Sequence, residues 1–82
     1  MRKYMIEFLG TLFLVFVILA THNYMAVGLA LAIAVFLGGG AYNPAVALAL
    51  FSAGELSKLD LMPYIIAQIG GGLAGAYLAK MI

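Results

Sequence analysis

Three runs of the chain, Tyr4 to Thr21, Tyr24 to Leu37 and Leu61 to Ile82, hold one carboxylate, one glutamine and one lysine among side chains that are otherwise apolar, small or weakly polar. A soluble fold of this size needs a polar surface, and the chain has no means of making one. Hydrophobic residues are 67% of the 82 and charged residues 9%, well outside the range of soluble domains. The expectation is an all-α membrane protein, with the lipid bilayer as its first partner. A net charge of +1 without a basic stripe gives no footprint for nucleic acid. With no cysteine there is no disulfide framework, thiolate nucleophile or sulfur metal site. Glu7, Glu55, Asp60 and His22 are dispersed, in no nucleophile–base or metal-ligand spacing. The sequence therefore points to no catalytic residues, no metal, no cofactor and no enzyme.

The first run follows Arg2 and Lys3 and has the outline of a signal peptide. Glu7 inside it, the lack of a small-x-small cleavage site after Ala20, and two later apolar runs argue for a retained helix. Its eighteen positions reach about 27 Å, enough to span with little tilt. Thr21-His22-Asn23 closes it in a tight turn at a membrane surface, with His22 a surface polar residue. The second run, from Tyr24, meets Gly38-Gly39-Gly40-Ala41-Tyr42-Asn43-Pro44. Three glycines weaken a helix there, and Asn43 before proline is pushed out of helical geometry. Asn43 suits an N-cap and Pro44 a first turn, so a short helix starts at Asn43. Ser52 to Asp60 is the one hydrophilic stretch. The third run has Pro63 near its start and Gln68 in its body. It also carries Gly71-x-x-x-Gly75 and Gly72-x-x-x-Ala76, small-residue strips suited to close helix packing in lipid.

The break from Gly38 to Asn43 needs protein or a wet cavity around it, because unpaired backbone groups cannot face lipid. Two geometries fit. In one, Gly38 to Tyr42 runs about 16 Å back inward, and Asn43 starts a half-helix near the midplane. In the other, Tyr24 to Phe51 is one long kinked helix. A half-helix starting inside the membrane presents free N–H groups and about +0.5 charge, and the Asn43 amide adds two donors. With the carbonyls of Gly38 to Tyr42, that end would repel cations and accept neutral hydrogen-bonding solutes. The simpler role for Asn43-Pro44 is to cap a helix in a packed kink.

Gly39-Gly40-Ala41-Tyr42-Asn43-Pro44-Ala45-Val46 resembles the Asn-Pro-Ala region of the aquaporin, or major intrinsic protein, family. Glu7-Phe8-Leu9-Gly10-Thr11 is similar to that family's first helix, and Tyr64 to Gly71, with its Ala67-Gln68 pair, to its third. The resemblance implies one half-aquaporin-like repeat over residues 1–82: helices at 4–21, 24–37 and 61–82, with a loop and re-entrant half-helix at 38–52. That is three transmembrane helices plus a half-helix starting at the Asn-Pro-Ala motif. It implies pore and selectivity roles for Gly39, Gly40, Tyr42, Asn43, Pro44, Ala45 and Val46, with Asn43 the donor that faces the pore. It makes Glu7 and Gln68 buried structural polar residues, Glu7 steadying the loop. Near an interface, Glu7 would instead snorkel outward. Gly71 and Gly75 are expected at a helix contact.

The family's fold has two such repeats, whereas three spans cannot enclose a pore, so a channel would require assembly. The options are a homo-oligomer, with antiparallel dimer units, or a complementary half-channel chain. Val46 stands where the family's second motif usually carries an arginine, so a homodimer would lack that filter charge. Arg2, Lys3 and Lys58 on one side against Lys80 on the other favour a single orientation. The expected function is passive passage of water or small neutral solutes such as glycerol. The alternative is a non-conducting membrane scaffold or accessory subunit.

Overall fold

The computed structural model describes all 82 residues, which form four helices joined by short non-helical links: α1 (Arg2–Thr21), α2 (Tyr24–Gly38), α3 (Pro44–Ser52) and α4 (Lys58–Lys80). Each boundary has a local cause. α1 ends where His22 takes a left-handed conformation and its N–H bonds back to the Ile18 carbonyl. Asn23 then caps α2, its Oδ1 accepting from the Ala26 N–H at 2.9 Å. α2 stops at Gly39, left-handed with φ 65°, a conformation that costs glycine little. Five residues, 39–43, then separate α2 from α3, where a single kinked helix would have continued. α4 starts at Lys58, three residues before the Leu61 expected from hydropathy. The reason is a cap: the Ser57 hydroxyl accepts the Asp60 N–H at 3.2 Å, winding the polar residues Lys58 and Asp60 into the first turn. Pro63 is thereby inside the helix. At the other ends, α1 begins two residues before Tyr4, α2 includes Gly38, and α4 stops at Lys80.

Two of these helices, α1 and α4, are long and apolar enough to cross a membrane. At 20 and 23 residues they reach about 30 and 34 Å, and α2, at 15, only about 22 Å.

α1 is the centre of the bundle. It packs along α4 on one side and α2 on the other, while α3 packs on α4 alone. The register shows direction. Lys3 meets Asp60, Glu7 meets Gln68, and Phe8 and Leu12 back onto Gly71 and Gly75. α1 and α4 therefore run parallel, and Arg2, Lys3 and Lys58 gather at one end with Lys80 at the other. α2 returns antiparallel, its last residue Gly38 lying beside Ile6.

The interior inverts the usual rule for soluble proteins. The largest fully buried side chains are Gln68 and Glu7, whereas Phe36, Leu37, Leu73 and Ile66 lie outside. Apolar side chains gain nothing by leaving lipid, so contact in a membrane is set by small residues and by polar groups seeking partners. Gly71 and Gly75 serve the first purpose. A Cβ on either would overlap a carbonyl oxygen of α1, that of Phe8 or of Leu12, so only glycine lets the two backbones approach this closely.

Candidate functional site

Glu7 and Thr11 are the only buried residues of α1 and lie one turn apart on one face, which a helix makes neighbours. The segment between α2 and α3 is laid against that face. Glu7 Oε2 accepts the Ala41 N–H and Oε1 the Tyr42 N–H, both at 2.9 Å. From α4, Gln68 Nε2 donates to Oε1 at 2.8 Å. One carboxylate thus satisfies two backbone donors of a non-helical segment and ties three parts of the chain together. Leaving such donors unpaired in an apolar interior would cost about 1–3 kcal/mol each. The Glu7 side chain is fully enclosed and does not reach outward to the surface. Gln68 Oε1 has no partner within the chain.

Tyr42 sits next in the chain with φ 61°, a left-handed conformation costing a side-chain-bearing residue roughly 1–2 kcal/mol. Three hydrogen bonds hold it there: its N–H to Glu7, its hydroxyl to the Ala34 carbonyl at 2.7 Å, and its carbonyl from Thr11 Oγ1 at 3.4 Å, the weakest. The residue is 3% exposed, its ring turned between Gly10 of α1 and Gly38 of α2. An apolar groove of about 390 Å³ runs between the same helices, lined by Ile6, Leu9, Phe13, Ile33 and Leu37 with the Tyr42 ring. Its lining is almost wholly apolar.

Asn43 opens α3. Its Oδ1 caps the helix by accepting the Ala45 N–H at 2.7 Å, and Pro44 fills the first position. That bond uses the oxygen and leaves the amide NH2 on an exposed residue, so two donors face outward at a helix N-terminus. Gly39, Ala45 and Val46 are exposed beside it, Gly40 and Pro44 partly so. A Cβ at Gly40 would collide with the Glu7 carboxylate, so Gly40 is needed for the loop to approach Glu7, not to widen an opening. Depth follows from register. The Tyr42 carbonyl meets Thr11, the tenth of the twenty residues of α1. α3 thus starts about halfway along α1, and the chain is back at the level of Lys3 by Asp60.

The sequence reading gave no role to Thr11, Ala34 or Gly10, and gave Gly38 a place only in the helix break and its carbonyl-bearing segment, yet all four contact Tyr42. Only the Glu7–Thr11 spacing carried a signal. A polar clamp at the end of the bundle was also missed: Asp60 accepts from Lys3 Nζ at 2.8 Å and from the Tyr4 hydroxyl at 2.7 Å, and Tyr64 packs edge-on to Tyr4. No cluster of histidine, aspartate or glutamate able to hold a metal is present.

A family model described as major intrinsic protein matches residues 1–82. The chain is 38% identical to glycerol uptake facilitator protein-like 6 of Lactiplantibacillus plantarum, over 98% of this chain and 43% of that protein. It is 36% identical to aquaporin Z of Brucella melitensis, over 100% of this chain and 44% of that protein. Aquaporin-8 of Mus musculus is 47% identical over 77% of this chain and 24% of that protein. The chain spans less than half the length of these relatives. No solved structure matches it.

Proposed function

The chain belongs to the major intrinsic protein family, whose members are integral membrane channels rather than enzymes, and on that premise we propose that it forms one half of a channel passing water or small neutral solutes passively. In this proposal α1, α2 and α4 cross the bilayer and residues 39–52 form a re-entrant loop and half-helix. The short α2 suffices because the loop turns back below the surface, at the level of Glu7 and Thr11.

The observation that carries the proposal is the Glu7-bound loop, which presents the free Asn43 amide and the α3 N-terminus about halfway along α1. Donors fixed there exchange hydrogen bonds with a passing hydroxyl or water, and the positive helix end disfavours cations and protons. Gly39 and Gly40 lead toward this point, and Pro44, Ala45 and Val46 surround it. Val46 adds no charge, so the passage would discriminate by size and hydrogen bonding. Asn43, Ala45 and Val46 are left uncovered, which calls for a second half, either another copy inserted in the opposite sense or a complementary chain. Gly71 and Gly75, which a scaffold could have used for self-association, are occupied by α1.

Stopped-flow light scattering under an osmotic step, on liposomes holding only this chain, tests the proposal. Shrinkage faster than that of protein-free liposomes, slowed by Ala45→Phe, is expected if copies of one half assemble a pore. Shrinkage at the bare-lipid rate by protein shown folded by circular dichroism would reject self-assembly. Shrinkage at that same rate after a complementary half is added would reject the channel itself.

A further inference from the structure

The side chain of Tyr42 points away from Asn43 and fills a socket built of glycine. A Cβ at Gly10 on α1 would strike the Tyr42 ring, and one at Gly38 at the end of α2 would strike its hydroxyl and Ile6. The ring lies between two helices at the one place where both lack side chains, and the hydroxyl anchors to the Ala34 carbonyl of α2 at 2.7 Å. Backbone bonds to Glu7 and Thr11 fix the same residue to α1. Tyr42 is thus held to two helices in a left-handed conformation, and the next residue is Asn43. Its φ and ψ fix the direction in which the chain enters α3.

We propose that Tyr42 is a positioning residue, whose ring in the Gly10–Gly38 socket and hydroxyl bond to the Ala34 carbonyl aim the Asn43 end of α3 and thereby set its discrimination between solutes. The hydroxyl fixes the ring against α2, while the ring and the two backbone bonds fix the left-handed turn. Without the hydroxyl the ring still fills the socket but is free to slide along α2, and Asn43 moves with it. The same geometry makes the α1–α2 spacing a setting of the site: any shift of α2 along α1 pulls on Asn43 through this bond. The effect on discrimination rests on the channel proposal; the structural coupling does not.

Tyr42→Phe tests it, because it keeps the ring and removes only the hydroxyl. The sequence contains three Ala–Val pairs, Ala26–Val27, Ala34–Val35 and Ala45–Val46. Carbonyl-13C alanine with 15N valine therefore gives three solid-state NMR signals from the full chain in lipid bilayers. One reports the hydroxyl's acceptor, one the start of α3, and one the far end of α2 as a reference. Tyr42→Phe is expected to move Ala34–Val35 and Ala45–Val46 and leave Ala26–Val27 in place. Movement of Ala34–Val35 alone would leave a hydrogen bond without a positioning role and overturn the proposal. No movement, or movement of all three, would overturn it as well. Gly10→Ala keeps the hydroxyl but crowds the ring, and is expected to move the same two signals; an unmoved Ala45–Val46 would count against the socket. In liposomes the glycerol-to-water permeability ratio is expected to change about threefold to tenfold in Tyr42→Phe, the range spanned by one hydrogen bond, and an unchanged ratio in a conducting chain would overturn the link to discrimination. A non-conducting wild-type chain bears on the channel proposal instead, and the three signals decide this one.

Discussion

Replacing Glu7 by glutamine changes one oxygen to an NH2 and almost nothing in volume, which isolates the hydrogen bonding that holds the loop. The carboxylate receives three donors: the N–H groups of Ala41 and Tyr42, and Gln68 Nε2. A glutamine amide has one oxygen. If that oxygen stays toward Tyr42 and Gln68, its NH2 faces the Ala41 N–H. If it turns toward Ala41, Gln68 flips and accepts with its free Oε1, and the Tyr42 N–H is left facing a donor. Either way one buried backbone donor is orphaned, costing about 1–3 kcal/mol, and the remaining bonds lose their charge assistance, about 1 kcal/mol each. The sum is about 3–5 kcal/mol, concentrated in the loop. Amide hydrogen exchange of the chain in lipid nanodiscs reads it locally. Protection at Ala41 and Tyr42 should fall by roughly a hundredfold or more, while the amides of α1 and α4 around Leu12 and Gly75 change little. Loop protection unchanged within a few-fold, in protein with wild-type helicity, would refute the idea that Glu7 holds this segment.

Three further outcomes are expected. Gly71→Ala and Gly75→Ala force a methyl against the α1 backbone and should each destabilise the fold by about 1–3 kcal/mol, seen as lower thermal midpoints in detergent. Gly28→Ala, which meets only open space, should be neutral or raise the midpoint through helix propensity; equal losses at all three would refute the packing account. Asn43→Asp keeps the capping oxygen for the Ala45 N–H but replaces the outward donors with negative charge. It should leave helicity unchanged and raise cation leakage relative to neutral-solute flux, whereas unaltered transport would argue against Asn43 facing the solute. Asn43→Ala also removes the cap, and should cost about 0.5–2 kcal/mol, measurable as a lower unfolding midpoint.

The interruption at Gly38–Pro44, the turn at Thr21–Asn23 and the cap Asn43 were legible because their causes are local. Glycine, proline and asparagine restrict backbone conformation by their own chemistry, whatever surrounds them. Glu7 and Gln68 stood out as polar residues in apolar runs, where a membrane forces each to find a partner. The resemblance implied that Glu7 steadies the loop, but the residues themselves name neither its Tyr42 and Ala41 donors nor its bond to Gln68. Glu7 and Gln68 are 61 residues apart, and Glu7 and Tyr42 are 35 apart, so nothing local connects them. The start of α4 was misplaced because hydropathy marks where lipid begins and not where hydrogen bonding begins, and the Ser57 cap extends the helix into polar surroundings.

The sequence by itself determined that the chain is a set of apolar helices broken at one place, with few polar groups to place inside. Backbone hydrogen bonding in a nonpolar solvent leaves little alternative. Only the tertiary structure decided that Gly71 and Gly75 meet the α1 backbone at Phe8 and Leu12, that Glu7 gathers the Ala41, Tyr42 and Gln68 donors, and that Tyr42 is buried behind the break. Those outcomes depend on which small residues come opposite one another and on which donors a single carboxylate can reach. Both are properties of helices brought together in space.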